Sequence, residues 1–197
     1  VTGRMNNAPG LAIATLGPGA TNLATGVGDA WLDRSPMIAI TCNLNTDQLG
    51  RRIQMYIDHH QLFAPITKAT LPLREGSVAQ TVAEAVRIAM SEPMGPVHLD
   101  LPEDVAVALA SEALPDLLVP SRIAPASPGK IQAGIDVLAS ARRSIAVIGS
   151  NAMRMHDIGL LRQFIDRHNM PFVTTTMTKG LIDEDHPPAA GSGAYTH

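Results

Sequence analysis

The sequence predicts an α/β fold in which a parallel sheet is flanked by helices, followed by a second, smaller unit built the same way. Three observations carry this. Short apolar runs of strand length alternate with segments of helical period, the order expected of parallel strands joined by crossover helices. Hydrophobic residues make up 45% of the chain but aromatics only 3%, so the core must be packed from Ala, Val, Ile, Leu and Met, which suits helices lying close on a buried sheet. A stretch of weak periodicity punctuated by Pro115, Pro120, Pro125 and Pro128 divides residues 1–106 from 130–197, and 107–129 reads as an ordered linker.

Leu11 to Leu16 is a buried strand stopped by Gly17-Pro18-Gly19. Ala20 to Leu32 follows as a helix whose small residues Ala24, Gly28 and Ala30 allow close packing. Pro36 to Thr41 is a second buried strand. Residues 43–57 are polar and irregular and read as a long loop over a site edge. Ser77 to Met90 is a helix with Val78, Val82, Ala85, Val86, Ala89 and Met90 on one face and Ser77 as its cap. Pro96 to Leu99 is a strand ended by Pro102. Beyond the linker, Ile131 to Ala139 is helical and Ser144 to Ile148 is a strand. Ile158, Leu161, Phe164 and Ile165 share a helix face, and Phe172 to Thr176 is a strand.

Composition narrows function. The net charge is −3 with no basic block, so nothing favours a nucleic-acid partner. No apolar run nears the roughly 20 residues that span a bilayer, so no membrane helix is expected. The single cysteine, Cys42, excludes an internal disulfide and fits a reducing compartment, hence a cytoplasmic expectation. The chain opens Val1-Thr2-Gly3 without a methionine, and it is expected to continue upstream.

Several stretches could carry chemistry. Gly17-Pro18-Gly19-Ala20-Thr21-Asn22 lies between strand and helix, where free N–H groups suit an anion, yet it lacks the third glycine of a dinucleotide fingerprint and the Gly-Lys of a P-loop. It reads as a tight turn or as an anion site. Asp58-His59-His60 invites a metal reading, but adjacent side chains diverge and no third ligand stands nearby in sequence, so a solvent-facing helix start capped by Asp58 is expected. His98 reads as a satisfied core or edge histidine, Lys179 as an exposed turn lysine, and Cys42 as an inert thiol with no partner histidine.

Taken together and in order, these stretches resemble one family. Ala14-Thr15-Leu16-Gly17-Pro18-Gly19-Ala20-Thr21-Asn22-Leu23-Ala24-Thr25-Gly26 resembles the strand–turn–helix signature in the pyrimidine-binding domain of thiamine diphosphate enzymes of the acetolactate synthase type. Asp33 to Thr41 is similar to the strand after it, Pro65-Ile66-Thr67-Lys68 to a short Pro-x-Thr-Lys segment, and Gly95 to Pro102 to the stretch closing that domain. Ser144 to Gly149, Pro171 to Gly180 and Asp185-His186-Pro187 resemble the opening of a Rossmann-like central domain.

The resemblance implies that residues 1–106 are part of the pyrimidine-binding domain and 130–197 part of the central domain of a three-domain enzyme. It implies thiamine diphosphate held across a homodimer, or a dimer of dimers, with Mg2+ bound by residues outside this chain, and a 2-oxo acid such as pyruvate as substrate. The cofactor is the electron sink for decarboxylation, and the acyl unit passes to an acceptor. FAD on the central domain is a further cofactor the resemblance allows. The family's catalytic glutamate falls upstream of Val1, so no catalytic residue and no metal ligand is expected here, and the chain alone is expected to be inactive. Thr15, Gly17, Pro18, Asn22 and Gln54 are the expected cofactor-binding residues, with the aminopyrimidine ring rather than a phosphate at the Gly17 turn. Leu16 stands where many relatives have a small polar residue, and Tyr56 where an acid follows the glutamine. The alternatives are another thiamine diphosphate decarboxylase or lyase, of the oxalyl-CoA or benzoylformate type, a nucleotide-binding module, or a cofactor-free remnant.

Overall fold

In the computed structural model of this chain, which describes residues 2–6, 8–115 and 125–193, two compact units form, Val1–Ala124 and Pro125–His197. The first opens with a short helix α1 (Thr2–Met5) and strand β1 (Gly10–Ala14). Helix α2 (Pro18–Leu32) starts at a proline, whose fixed φ and missing N–H suit the first helical position. Strand β2 (Met37–Asn43), helix α3 (His59–Phe63), strand β3 (Thr70–Pro72), helix α4 (Val78–Met90), strand β4 (Pro96–Pro102) and helix α5 (Glu103–Val107) follow. All four strands are parallel, in the order β1-β2-β4-β3.

Alternation along β2 and β4 assigns the two faces. Ile38, Val97 and Leu99 pack with Ala85 and Ala89 of α4 on one side. Ala39 packs with Ala20 and Val27 of α2 and Phe63 of α3 on the other. In register, Ala39 lies beside His98 and Thr41 beside Asp100, so His98, Asp100, Thr41 and Asn43 all point to the α2–α3 side. This parity is what builds the site below. The edge strand β1 leaves Leu11 and Ile13 exposed, at 66% and 63%.

Some local expectations change. Gly28 meets nothing within 4 Å of a built Cβ, so Ala20, Val27 and Ala30, not Gly28, make the close packing of α2. Ser77 makes no side-chain cap for α4. Glu112 does that work: its carboxylate accepts from the N–H groups of Val78 (2.8 Å) and Ala79 (2.9 Å), where the helix dipole favours negative charge. Asp58 does cap α3, accepting from the Gln61 N–H at 2.9 Å.

The second unit contains α6 (Pro128–Ser140), β5 (Ala146–Ile148), α7 (Ile158–His168), β6 (Phe172–Thr175) and β7 (Ala189–Gly193), with parallel strands in the order β5-β6-β7. Its core joins Ile148, Ile165, Phe172 and Ile182. Phe164 departs from the expected inward face. It lies outside, its ring 4.7 Å from that of His168. Asn169, in the left-handed region, ends α7. No residue of α6 is buried.

Candidate functional site

The carboxyl ends of parallel strands are where α/β folds place ligands, and here the ends of β1, β2 and β4 carry Thr15–Gly17, Thr41–Asn43 and Asp100. Gly17 has φ +60 and ψ −115, a conformation other residues resist. A Cβ there would also collide with the Met55 carbonyl oxygen, so the loop holding Gln54 lies directly against the turn. Gly19 is less constrained, since a Cβ there would meet only the methyl of the exposed Thr15 side chain.

The N–H groups of both glycines in the turn are engaged within the chain. Gly17 donates to His59 Nε2 at 3.3 Å, Gly19 donates to the Leu16 carbonyl at 3.3 Å, and Pro18 has none to give. An anion would have to compete for these two donors. What the turn presents outward is exposed Thr15 and Pro18, with Asn22 exposed one turn into α2 and Gln54 exposed in the facing loop, while Gly17 is buried. Thr15, Pro18, Asn22 and Gln54 are thus accessible to a ligand at this edge, and Gly17 shapes the turn between them from within.

Beneath the turn lies a buried polar cluster that sequence reading missed. His59 is buried rather than solvent-facing, because the α3 start turns in under Gly17, and only His60 is exposed, paired with the Thr70 hydroxyl. His59 Nδ1 is 3.0 Å from Thr41 Oγ1 and 3.1 Å from Asp100 Oδ1. Thr41 Oγ1 is 2.8 Å from His98 Nε2. Asn43 Nδ2 donates to both Asp100 oxygens at 3.0 Å. His98 is fully buried, stacked on Phe63 with ring centroids 4.3 Å apart, and its Nδ1 has no partner. Burial pushes the His98 pKa down from 6.5 to about 4, against the opposing pull of Asp100, so the ring is neutral. For Asp100, burial pushes its pKa up, but hydrogen bonds from His59 and Asn43 and the nearby histidines outweigh it, and the carboxyl stays below its ordinary range.

Among the described residues His59, His98 and Asp100 also bring potential ligand atoms within 4.8 Å of one another, so the fold supplies the further ligands that sequence proximity did not. Yet the Thr41 hydroxyl sits in their midst. A metal on His59 Nδ1 would also force the ring proton onto Nε2, against the Gly17 N–H. The cluster is a hydrogen-bonded network as it stands.

Other candidates are structural. Lys68 donates through Nζ to the carbonyls of Ile88 (2.5 Å) and Ser91 (2.7 Å), closing the end of α4, and burial lowers its pKa. The Thr67 hydroxyl donates to the Phe63 carbonyl at 2.8 Å. The Pro65–Lys68 segment thereby ties α3 to α4. Lys179 is exposed, 3.9 Å from Glu184. Cys42 alternates to the face opposite Thr41 and Asn43.

Comparison with known proteins finds relatives for both units. Residues 1–62 match the model of the thiamine pyrophosphate enzyme N-terminal TPP binding domain, and residues 131–197 that of the thiamine pyrophosphate enzyme central domain. The chain is 35% identical over 198 residues to a probable acetolactate synthase large subunit of Methanococcus aeolicus, covering 95% of this chain and 33% of the relative. It is 32% identical to the acetolactate synthase large subunit of Corynebacterium glutamicum (94% and 30% covered) and 30% identical to the isozyme 1 large subunit of Escherichia coli (95% and 34%). The chain thus spans about a third of the length of the curated relatives it matches.

Proposed function

This chain belongs to the thiamine pyrophosphate enzyme family, and from that premise we propose that it supplies the ring-binding edge and the start of the central domain of an acetolactate synthase. The observation that carries the proposal is that acetolactate synthases of archaeal and bacterial origin match it along nearly its whole length, through both domains in order. The substrate in this reading is pyruvate, and the product arises by transfer of its decarboxylated two-carbon unit to a second 2-oxo acid.

Bound thiamine diphosphate would supply the electron sink for loss of carbon dioxide. The residues of this chain orient it. Thr15, Gly17 and Pro18 would hold its aminopyrimidine ring, with Asn22 supporting them and Gln54 facing it from the neighbouring loop. Gly17 lets the Met55 main chain pack directly against the turn, so the turn and the loop that carries Gln54 form one edge. Magnesium, the diphosphate-binding domain and a second subunit belong to the rest of the proposed enzyme. A nucleotide-binding module is the poorer reading, since the Gly17 and Gly19 N–H groups are engaged within the chain and the turn lacks the third glycine of a dinucleotide fingerprint and the Gly-Lys of a P-loop.

The test is product analysis on the complete polypeptide with thiamine diphosphate, Mg2+ and pyruvate. Acetolactate is the expected product. Pyruvate consumption that yields carbon dioxide and acetaldehyde but no acetolactate would move the enzyme to the decarboxylase branch. Failure to bind thiamine diphosphate would end the proposal.

A further inference from the structure

We propose that His59, oriented by Asp100, is the positioning residue that presets the Gly17 turn to receive the cofactor ring. The inference rests on the reading above that the ring lies at this turn, and adds residues which no motif in the chain assigned to it.

The argument follows the protons. A main-chain N–H can only donate, so at 3.3 Å from the Gly17 nitrogen His59 Nε2 must be the acceptor. The ring proton is then on Nδ1. That atom faces Asp100 Oδ1 at 3.1 Å, a carboxylate that can only accept, with the Thr41 oxygen at 3.0 Å. The chain Gly17 N–H to His59 to Asp100 therefore has one direction and selects one tautomer. Asp100 is itself held by both contacts from Asn43, so the anchor is rigid.

The clamp matters because of where it acts. Gly17 is buried with φ +60, and its peptide orientation decides how Thr15, Leu16 and Pro18 face outward. Glycine itself imposes no such choice, since it can occupy either sign of φ. A buried N–H without a partner would be costly, so the peptide is held where His59 can accept. The turn is therefore in place before a ligand arrives, and binding need not pay for ordering it. The same bond explains why this turn serves a ring: the N–H that could have met a phosphate is turned inward.

Two variants separate positioning from packing. The amide of His59→Gln reaches the place of Nε2 and can accept from Gly17. The amide of His59→Asn reaches only the place of Nδ1 and cannot. Both are polar and both lose the ring. In the complete polypeptide, His59→Asn should weaken thiamine diphosphate binding about tenfold, the loss of about one hydrogen bond, while His59→Gln stays within about threefold. With no cofactor present, hydrogen exchange at the Gly17 amide should speed up in His59→Asn and stay near wild type in His59→Gln. Equal effects of the two variants on affinity and exchange, or no effect of either, would overturn the proposal. If neither variant folds, the wild type decides: Gly17 must exchange as slowly as the β2 amides, and fast exchange overturns the clamp. A wild type that shows slow Gly17 exchange but binds no thiamine diphosphate would keep the clamp and remove its role toward the ring, and with it the functional reading.

Discussion

Acid should loosen the first unit, and His98 should account for a defined share of the loss. Its ring is fully buried against Phe63, one nitrogen has no partner, and burial holds its pKa at about 4 rather than 6.5. An unfolded chain takes up this proton near its ordinary value, the folded unit only well below it. Between the two values the unfolded state binds more protons, so stability falls as pH drops. Below the folded value both states carry the proton and the loss saturates. The whole gap corresponds to about 3 kcal/mol, of which about 2 kcal/mol should disappear between pH 7 and pH 5. Asp100 does not confuse this window. Its folded pKa is depressed, so its contribution is intact above the unfolded carboxylate value of about 4 and fades only as pH falls through its lower folded value. The assay is urea unfolding at pH 7, 6 and 5, followed by the fluorescence of Trp31, the sole tryptophan, which sits in α2 of the same unit. His98→Phe keeps a ring against Phe63 and removes the titration, while Thr41 retains His59 as a partner. The wild type should lose about 2 kcal/mol more than the variant over this range. The variant's absolute stability does not enter the comparison, because the slope is the readout. Parallel pH profiles for the two proteins would refute the reasoning.

Two further outcomes test the packing. Glu112→Gln should lower stability by about 1 kcal/mol by weakening the charged cap on Val78 and Ala79, whereas Ser77→Ala should change it by less than about 0.5 kcal/mol; urea midpoints that ranked them the other way would return the cap to Ser77. Gly28→Ala should stabilise by about 0.5–1 kcal/mol, since the site is mid-helix and opens on empty space, and a lowered Tm would show that this face of α2 is covered in the protein.

The fold was legible where periodicity speaks. The apolar runs at 11–16, 36–41, 96–99 and 172–176 became β1, β2, β4 and β6, and the helical stretches became α2, α4, α6 and α7. What failed was short or cooperative. β3 has only three residues and ends in Pro72, too brief for any pattern, and it exists because it pairs with β4. The cap of α4 comes from Glu112, a residue inside the stretch read as a linker, and no local rule links a helix start to a carboxylate that far along the chain. Phe164 looked inward by spacing, but Ile158, Leu161 and Ile165 already fill that stripe, and the larger ring lies tilted against His168 at the rim.

The site divides in the same way. The Gly17 turn could be seen because all its constraints are local: two glycines, a proline, a strand before and a helix after. The cluster beneath it was hidden by topology. Polar residues at alternate positions, Thr41 and Asn43 on one strand and His98 and Asp100 on another, were visible exceptions in apolar runs, and alternation alone puts each pair on one face of its own strand. It does not say which strands are neighbours. β4 lies beside β2 only because β3, which comes earlier in the chain, takes the outer edge. Once that order is known, the four residues converge, and burying them demands polar partners from whatever covers that face. The helix that covers it, α3, brings His59 and Phe63, the one meeting Thr41 and Asp100 and the other stacking on His98. His59 therefore reads as a surface residue beside Asp58 and His60 until the sheet order is fixed, and after that its burial follows from the polar atoms it has to satisfy.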